Sequence, residues 1–330
     1  MALVDDFVTE FGIWEEVRPH LPLMFDDLEM RLVVLAQDKM LTEAEVSELL
    51  GIGADHAGVL LQRCYERSIV DKEEQADATL YSPTSFYTFL NHFAIHENWD
   101  DIPADERRRI DRRFLDEFIS RHRNNVERKM QGLEAENALP NDTVLLLAEV
   151  EEMLRAAQHI VIQPCDCRRL GQHCDRPVDV CTWMDEGALG ALARGHGRRV
   201  TVDEAIELVR WADKKGLMHT GDSEWRTRGL HAICNCCACD CYPFRAAQEL
   251  GSKGVWPKSR YIAVHDADLC NLCGACVKRC HFEAFYHDGT TVEIEGKTRQ
   301  QVRFEPDRCW GCGLCANTCP SEAISMEPWS

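Results

Sequence analysis

"CNLCGACVKRC", residues 270–280, and "CWGCGLCANTCP", residues 309–320, are one phrase written twice. Each spaces its thiols C-x2-C-x2-C-x3-C: Cys270, Cys273, Cys276 and Cys280, then Cys309, Cys312, Cys315 and Cys319. Three thiolates two residues apart can wrap a tight loop round a single inorganic centre. Gly274, Gly311 and Gly313 allow the close turns and let backbone N–H groups approach it. Structural zinc also takes C-x2-C pairs, but two matched runs at this spacing argue against it. Between the runs, "HDGTTVEIEGKTRQQVRFEP" (287–306) reads as a hairpin, with Asp288-Gly289 as the turn signal between alternating segments.

Residues 260–326 resemble bacterial-type dicluster ferredoxins on the strength of these two runs. The resemblance implies a βαββαβ domain with two [4Fe-4S] clusters, in which the fourth cysteine of each run serves the other cluster. Cys270, Cys273, Cys276 and Cys319 would then hold one, and Cys309, Cys312, Cys315 and Cys280 the other. Two departures stand out: the first run ends Cys280-His281 rather than Cys-Pro, and the connector 281–308 is long. His281 is expected at the surface, with a tuning hydrogen bond to the nearer cluster as the alternative.

Nine further cysteines lie upstream. "VIQPCDCRRLGQHCDRPVDVCTW" carries Cys165, Cys167, Cys174 and Cys181; "HAICNCCACDCYPF" carries Cys234, Cys236, Cys237, Cys239 and Cys241. The residues "TVLLLAEVEEMLRAAQ" before the first motif have helical spacing, "HIVIQP" reads as a short strand, and Pro164 turns Cys165 and Cys167 into an irregular loop. Between the motifs, "TVDEAIELVRWADKKGL" is an amphipathic helix capped by Thr201 and Glu204 and ended by Gly216; a short helix starts at Pro243. One helix and its return can bring both motifs to one face. Disulfides between such near neighbours are geometrically resisted, and nine free thiols would oxidise, so metal is the economical reading. Iron–sulfur is favoured over zinc because the chain already carries two clusters, although the spacing matches no standard pattern. Eight of the nine would hold two more cubanes; one larger cluster fits as well. Adjacent Cys236 and Cys237 point in different directions and so belong to different irons or clusters. Cys64, alone in a helical stretch, reads as a buried apolar thiol.

The motifs "PCDCR…C…P…C" and "ICNCC.C.C", followed by the terminal dicluster region, are similar to a group of anaerobe iron–sulfur proteins labelled "4Fe-4S dicluster domain" proteins, over roughly residues 27–326. That likeness implies low-potential electron transfer beside larger redox enzymes. At the N-terminal end, residues 27–90 read helix, turn, helix, then two short strands, a winged-helix pattern. Thr42 and Glu45 form a capping box, and Val46, Leu49, Leu50, Val59, Leu60 and Cys64 are expected to face the core. Residues 101–130 read as a solvated helix with nine basic and seven acidic residues, and 130–142 as a linker.

The chain has 330 residues, 18 cysteines and a formal net charge of −19. Residues 1–100 hold 20 acidic and six basic side chains, a net of −14, which disfavours a nucleic-acid surface. The longest aliphatic run is far below the ~18 residues a bilayer span needs, and no signal peptide is evident. The expectation is therefore a cytoplasmic α+β multidomain protein: a mainly α, winged-helix-like docking domain (1–100), a helical connector (101–142), an irregular cysteine-rich α/loop metal-binding domain (143–259) and a ferredoxin domain (260–330). It holds two [4Fe-4S] clusters and one or two additional iron–sulfur clusters. It meets redox partner proteins through its N-terminal and ferredoxin domains, with self-association open, and with no DNA and no membrane insertion. The function expected is electron transfer to or from a partner oxidoreductase, with no catalytic residue assigned. The alternatives are a redox-sensing transcriptional regulator and an iron–sulfur enzyme with an open-coordination middle cluster.

Overall fold

Helical periodicity governs the first 130 residues. The computed structural model describes residues 2–140, 142–294 and 296–329. Five helices come first: α1 (Ala2–Phe11), α2 (Leu21–Met24), α3 (Asp27–Ala36), α4 (Glu43–Leu50) and α5 (Ala54–Glu66). The antiparallel hairpin β1 (Val70–Glu74) and β2 (Thr79–Pro83) follows, then α6 (Phe86–His96) and the long α7 (Ala104–Met130). Asp26 and Thr42 start α3 and α4 with reciprocal capping boxes to Glu29 and Glu45. Packing divides the chain into two units. One comprises the residues up to Asp116 with Arg169–Gly171 and Ala193–His196; the other comprises Glu117–Arg168, Gln172–Leu192 and everything from Gly197 onward.

The first unit closes on aromatic side chains: Phe7, Phe11, Phe25, Phe86 and Phe89 are buried, with the Phe25 and Phe89 rings 4.3 Å apart. Val46, Leu50, Leu60 and Cys64 are buried as the pattern predicts. Leu49 and Val59 are not, at 38% and 71% exposure. The buried stripe of α5 runs Ala57, Leu60, Leu61, Cys64, Tyr65, the i, i+3, i+4, i+7, i+8 face, which leaves Val59 on the solvent side.

The cysteine-rich region is organised by a sheet, which corrects the expectation of an irregular α/loop domain. Its elements are β3 (Thr143–Leu145), α8 (Leu147–Ala156), β4 (Ile160–Gln163), α9 (Asp166–Gly171), β5 (Cys181–Met184), α10 (Asp185–Ala193), β6 (Arg198–Arg199), α11 (Val202–Lys214), β7 (Met218–Gly221), α12 (Trp225–Arg228), β8 (Ala232–Cys236) and α13 (Tyr242–Leu250). Six strands pair in the order β3-β7-β8-β5-β4-β6, every pair antiparallel. Val150, Met153 and Leu154 of α8 and Ala205, Ile206 and Val209 of α11 pack on Ile160, Ile162, Met184 and Ile233 of the sheet. The strands are two to five residues long, too short to display alternation, and thiols fill apolar positions in them. Thr143–Leu145 pairs with β7, so the helix expected from residue 143 begins at Leu147, where the Glu149 carboxylate accepts from the Leu146 N–H at 2.8 Å. Thr201 caps α11 as predicted, and Gly216 (φ +83°) follows its end.

The C-terminal elements run β9 (Tyr261–His265), α14 (Ala275–Arg279), β10 (Phe285–Ile294), β11 (Lys297–Phe304), α15 (Leu314–Thr318) and β12 (Ile324–Pro328), the ferredoxin-like βαββαβ order. β9 pairs with β12 and β10 with β11, both antiparallel. Asp288-Gly289 is not the hairpin turn. β10 continues through it with a register shift between His287 and Thr291, and the strands reverse between Ile294 and Lys297. The Asp288 carboxylate accepts from the Thr290 N–H (2.9 Å) and from Arg303 Nε (2.7 Å), which folds those residues into a bulge. Among the described residues no helix is long and apolar enough to cross a membrane.

Candidate metal centres

The repeated cysteine runs take matching backbone shapes. Gly274 (φ +71°) and Gly313 (φ +77°) precede α14 and α15 in the left-handed region, which frees the loop in front of each helix to curl round its thiols. Gly311 (φ +67°) lies so close to β9 that a Cβ there would stand 2.1 Å from the Tyr261 carbonyl oxygen. The backbone N–H groups of Ala284 and Ala323, each four residues past a run's last cysteine, donate to the Cys280 and Cys319 sulfurs at 3.2 and 3.3 Å.

Cys280 leaves its own run and lines one cavity with Cys309, Cys312 and Cys315, closed by Phe282, Phe285, Trp310 and Leu314. Burial pushes the Cys312 thiol up to about 12 and raises Cys315, with Cys309 and Cys280 adding to both shifts. Four thiols facing one space, Cys315 buried and the others half-buried, are stable as thiolates only with positive charge among them, so the donor set fits a metal cluster. Cys270 and Cys273 act on Cys276, whose thiol burial drives to about 11. Cys319 packs in the same apolar cluster as Cys270 and Cys276. His281 is half-buried rather than on the surface. Its Nε2 lies 2.7 Å from the Gly216 carbonyl oxygen, and burial lowers its pKa to about 4.

The nine upstream cysteines separate into two groups. Cys165, Cys167, Cys181, Cys234, Cys236 and Cys241 line a second cavity together with Asp166, Arg168 and Asp240. They arrive from three places: the N-terminus of α9, the start of β5, and the end of β8 with the turn into α13. Cys167 therefore sits in the first turn of a helix, not in an irregular loop. The Cys241 and Cys236 sulfurs are 3.3 Å apart. Hydrogen bonds that Cys167 donates to Cys165 and Cys181 to Cys234, with burial, hold these two thiols well above the ordinary range, so a metal entering here displaces protons.

Cys174, Cys237, Cys239 and Asp240 form the other group, one ligand atom from each lying within 4.8 Å of the rest. Cys174 Sγ is 3.0 Å from Asp240 Oδ2 and 3.8 Å from Cys237 Sγ. The edge of a tetrahedron with ~2.3 Å metal–sulfur bonds is about 3.8 Å, so this set matches the span of a single ion. A hydrogen bond from Cys239 lowers the Cys237 thiol to about 5 against its burial, with help from Arg168. Cys236 and Cys237, adjacent in sequence, thus face different groups.

Two residues the sequence reading passed over complete the region. Arg168 is buried; its Nη2 donates to the Asn235 carbonyl at 2.9 Å and lies 3.6 Å from Cys237 Sγ, placing a cation between the two thiol groups. Asp240 is fully buried, and its Oδ1 accepts from the His173 N–H at 2.8 Å. An acidic residue inside "CCACDC" was the available signal. One apolar cluster joins this region to the C-terminal repeat: Cys236 and Cys241 share it with Phe244, Trp310 and Leu314, and Phe282 and Cys312 pack against it. The Phe282 and Trp310 rings stack at 4.7 Å. Arg279 reaches the carbonyls of Asp213 and Lys214, and Asn317 donates to the Asp213 carboxylate at 2.7 Å.

A family model of the 4Fe-4S dicluster domain matches residues 269–323. No curated protein and no solved structure matches the chain significantly. The C-terminal segment is therefore an iron–sulfur domain of ferredoxin type that binds 4Fe-4S clusters, and iron–sulfur electron transfer is its general function.

Proposed function

We propose that the protein carries low-potential electrons for a partner oxidoreductase in anaerobic cytoplasmic metabolism, relaying them between its dicluster domain and a further iron–sulfur centre in the middle region. The observation that carries this reading is the apolar bridge from Cys312 to Cys236 and Cys241. It gathers a thiol of the dicluster domain and two of the six thiols round the middle cavity about one apolar cluster. Iron–sulfur clusters supply reversible one-electron transfer.

On this reading Cys280, Cys309, Cys312 and Cys315 hold the cluster nearer the middle region, and Cys270, Cys273, Cys276 and Cys319 the outer one. A cubane takes four thiolates, so six round one cavity support either a larger cluster or a cubane with two flanking thiols. Cys174, Cys237, Cys239 and Asp240 suit a single tetrahedral ion, zinc or iron. The order α3, α4, α5, then the β1–β2 hairpin supports a winged helix in the first unit, used for docking a protein. DNA is disfavoured because the arginines of α5 and its end are engaged: Arg63 with Asp26 at 2.6 Å, Arg67 with Glu97 at 2.7 Å.

Iron, acid-labile sulfide and zinc are to be measured on anaerobically purified protein. About 8 iron atoms per chain would overturn the middle cluster, while about 12 or about 16 would support it and distinguish a cubane from a larger cluster.

A further inference from the structure

The first unit contains a group of side chains unrelated to the cysteines. His92 and His96 stand one helical turn apart on α6, and His196 reaches them from the four-residue stretch Ala193–His196. One ring nitrogen from each lies within 4.8 Å of the others. The ring centroids are 5.0 Å (His92–His96), 4.9 Å (His92–His196) and 4.2 Å (His96–His196) apart. Three imidazoles bound at ~2.0 Å to one tetrahedral ion have centroids about 5 Å apart, so the spacing is close to that of a shared ion.

Hydrogen bonds outside the group orient two of the rings. His92 Nε2 lies 3.1 Å from Glu97 Oε1, and Arg67 grips the same carboxylate through Nε at 2.9 Å and Nη2 at 2.7 Å. Burial opposes ionisation of Glu97, yet the bonds from His92 and Arg67 hold its carboxyl below the usual range. A carboxylate can only accept, so His92 Nε2 donates to Glu97, and in the neutral tautomer with this bond Nδ1 carries the lone pair. His92 is 8% exposed, and that Nδ1 is buried with no hydrogen-bond partner. A buried acceptor left unsatisfied costs stability unless something fills it. The His196 ring bonds the Glu66 carbonyl, which leaves its second nitrogen free to face the group. Carboxylate–histidine and carbonyl–histidine pairs of this kind set the tautomer of metal-binding imidazoles. Arg194, whose charge acts on His196, is engaged by the Asp71 carboxylate and the Tyr65 carbonyl.

We infer that His92, His96 and His196 form a mononuclear zinc site, with Glu97 and Glu66 orienting its ligands. Three neutral imidazoles suit zinc, and His96 is exposed, so the fourth position opens to solvent and takes a water or a small oxygen ligand. The site clips the excursion Ala193–His196 to α6 and closes a loop of roughly 100 residues. It stands apart from the cluster assignment and does not depend on it.

The test uses the full chain with its clusters in place. Protein dialysed against a chelator, with iron and sulfide contents verified unchanged, is titrated with Zn2+ by calorimetry. In Cys174→Ser, which removes one thiol of the cysteine–aspartate group, one tight equivalent is expected, weakened at least tenfold when His96→Gln or His196→Gln is added; both rings are at least partly exposed, and iron content reports folding. Glu97→Gln, which touches no ion, should weaken binding by about 10-fold or more through the His92 ring. Zinc-edge X-ray absorption of loaded Cys174→Ser should show nitrogen or oxygen neighbours near ~2.0 Å and no sulfur near ~2.3 Å. Equal Zn2+ affinity with and without the histidine substitutions, no tight equivalent in Cys174→Ser, or sulfur in its zinc shell would overturn the site.

Discussion

Gly311 and Gly289 are both left-handed, at φ +67° and +84°, but only Gly311 has a neighbour in its way. A methyl at 311 meets the Tyr261 carbonyl oxygen at 2.1 Å, while one at 289 meets nothing within 4 Å. Gly289→Ala should cost about 1 kcal/mol of backbone strain, and Gly311→Ala should exceed it by at least ~2 kcal/mol, read as the difference in thermal unfolding. Cys236 and Cys237 offer a second paired test. Cys236→Ser should lower iron and sulfide together, whereas Cys237→Ser should lower a metal unaccompanied by sulfide; metal and sulfide analysis of both variants reads the split. The eight cysteines of the repeat were legible in sequence because ligand spacing in a tight loop is a local property. The division of the other nine was not, since it follows from where β8 ends, and "AICNC" fills strand positions with thiols that carry no recognisable alternation. The histidine group was half legible: His92 and His96 are an i, i+4 pair on a helix, but His196 lies about a hundred residues downstream.

Among the elements, α4 and α11 start from the same device, a threonine whose hydroxyl accepts from the backbone of a glutamate that bonds back. Both signatures were readable, as were the long α7 and the hairpin strands β1 and β2. The six-stranded sheet was not, because its two-to-five-residue strands are specified by partners distant in sequence rather than by their own pattern. Thr201→Ala should lower stability by about 1 kcal/mol, a shift of a few degrees in unfolding temperature. Hydrogen bonds from the Thr201 backbone and side chain hold the Glu204 carboxyl below its ordinary value of 4.5. A depressed carboxyl stabilises the folded chain above the unfolded value and loses that contribution as pH falls through the folded one. The wild type should therefore lose stability more steeply than Thr201→Ala below about pH 4.5, measured by denaturant unfolding at a series of pH values.

For the whole molecule, charge is the property that reaches farthest. The chain carries a formal −19, and thiolate-bound clusters add to it. Electron exchange with a basic partner should be steered by this field, so its second-order rate should fall steeply as ionic strength rises from about 0.01 to 0.5 M. Stopped-flow reduction by a cationic and an anionic electron donor provides the measure, with opposite salt dependences expected. A partner-independent rate would remove electrostatic docking from the proposal.

Residues 236 and 237 also bear on how the protein matures. A single peptide unit, ~3.8 Å from Cα to Cα, separates a thiol of the six-membered group from a thiol of the Cys174–Cys239–Asp240 group. Whichever centre is filled first fixes that peptide, and with it one donor of the other. On the proposed reading, assembly of the two centres should therefore be coupled. Loss of one centre to oxygen should then loosen the peptide it shares with the other.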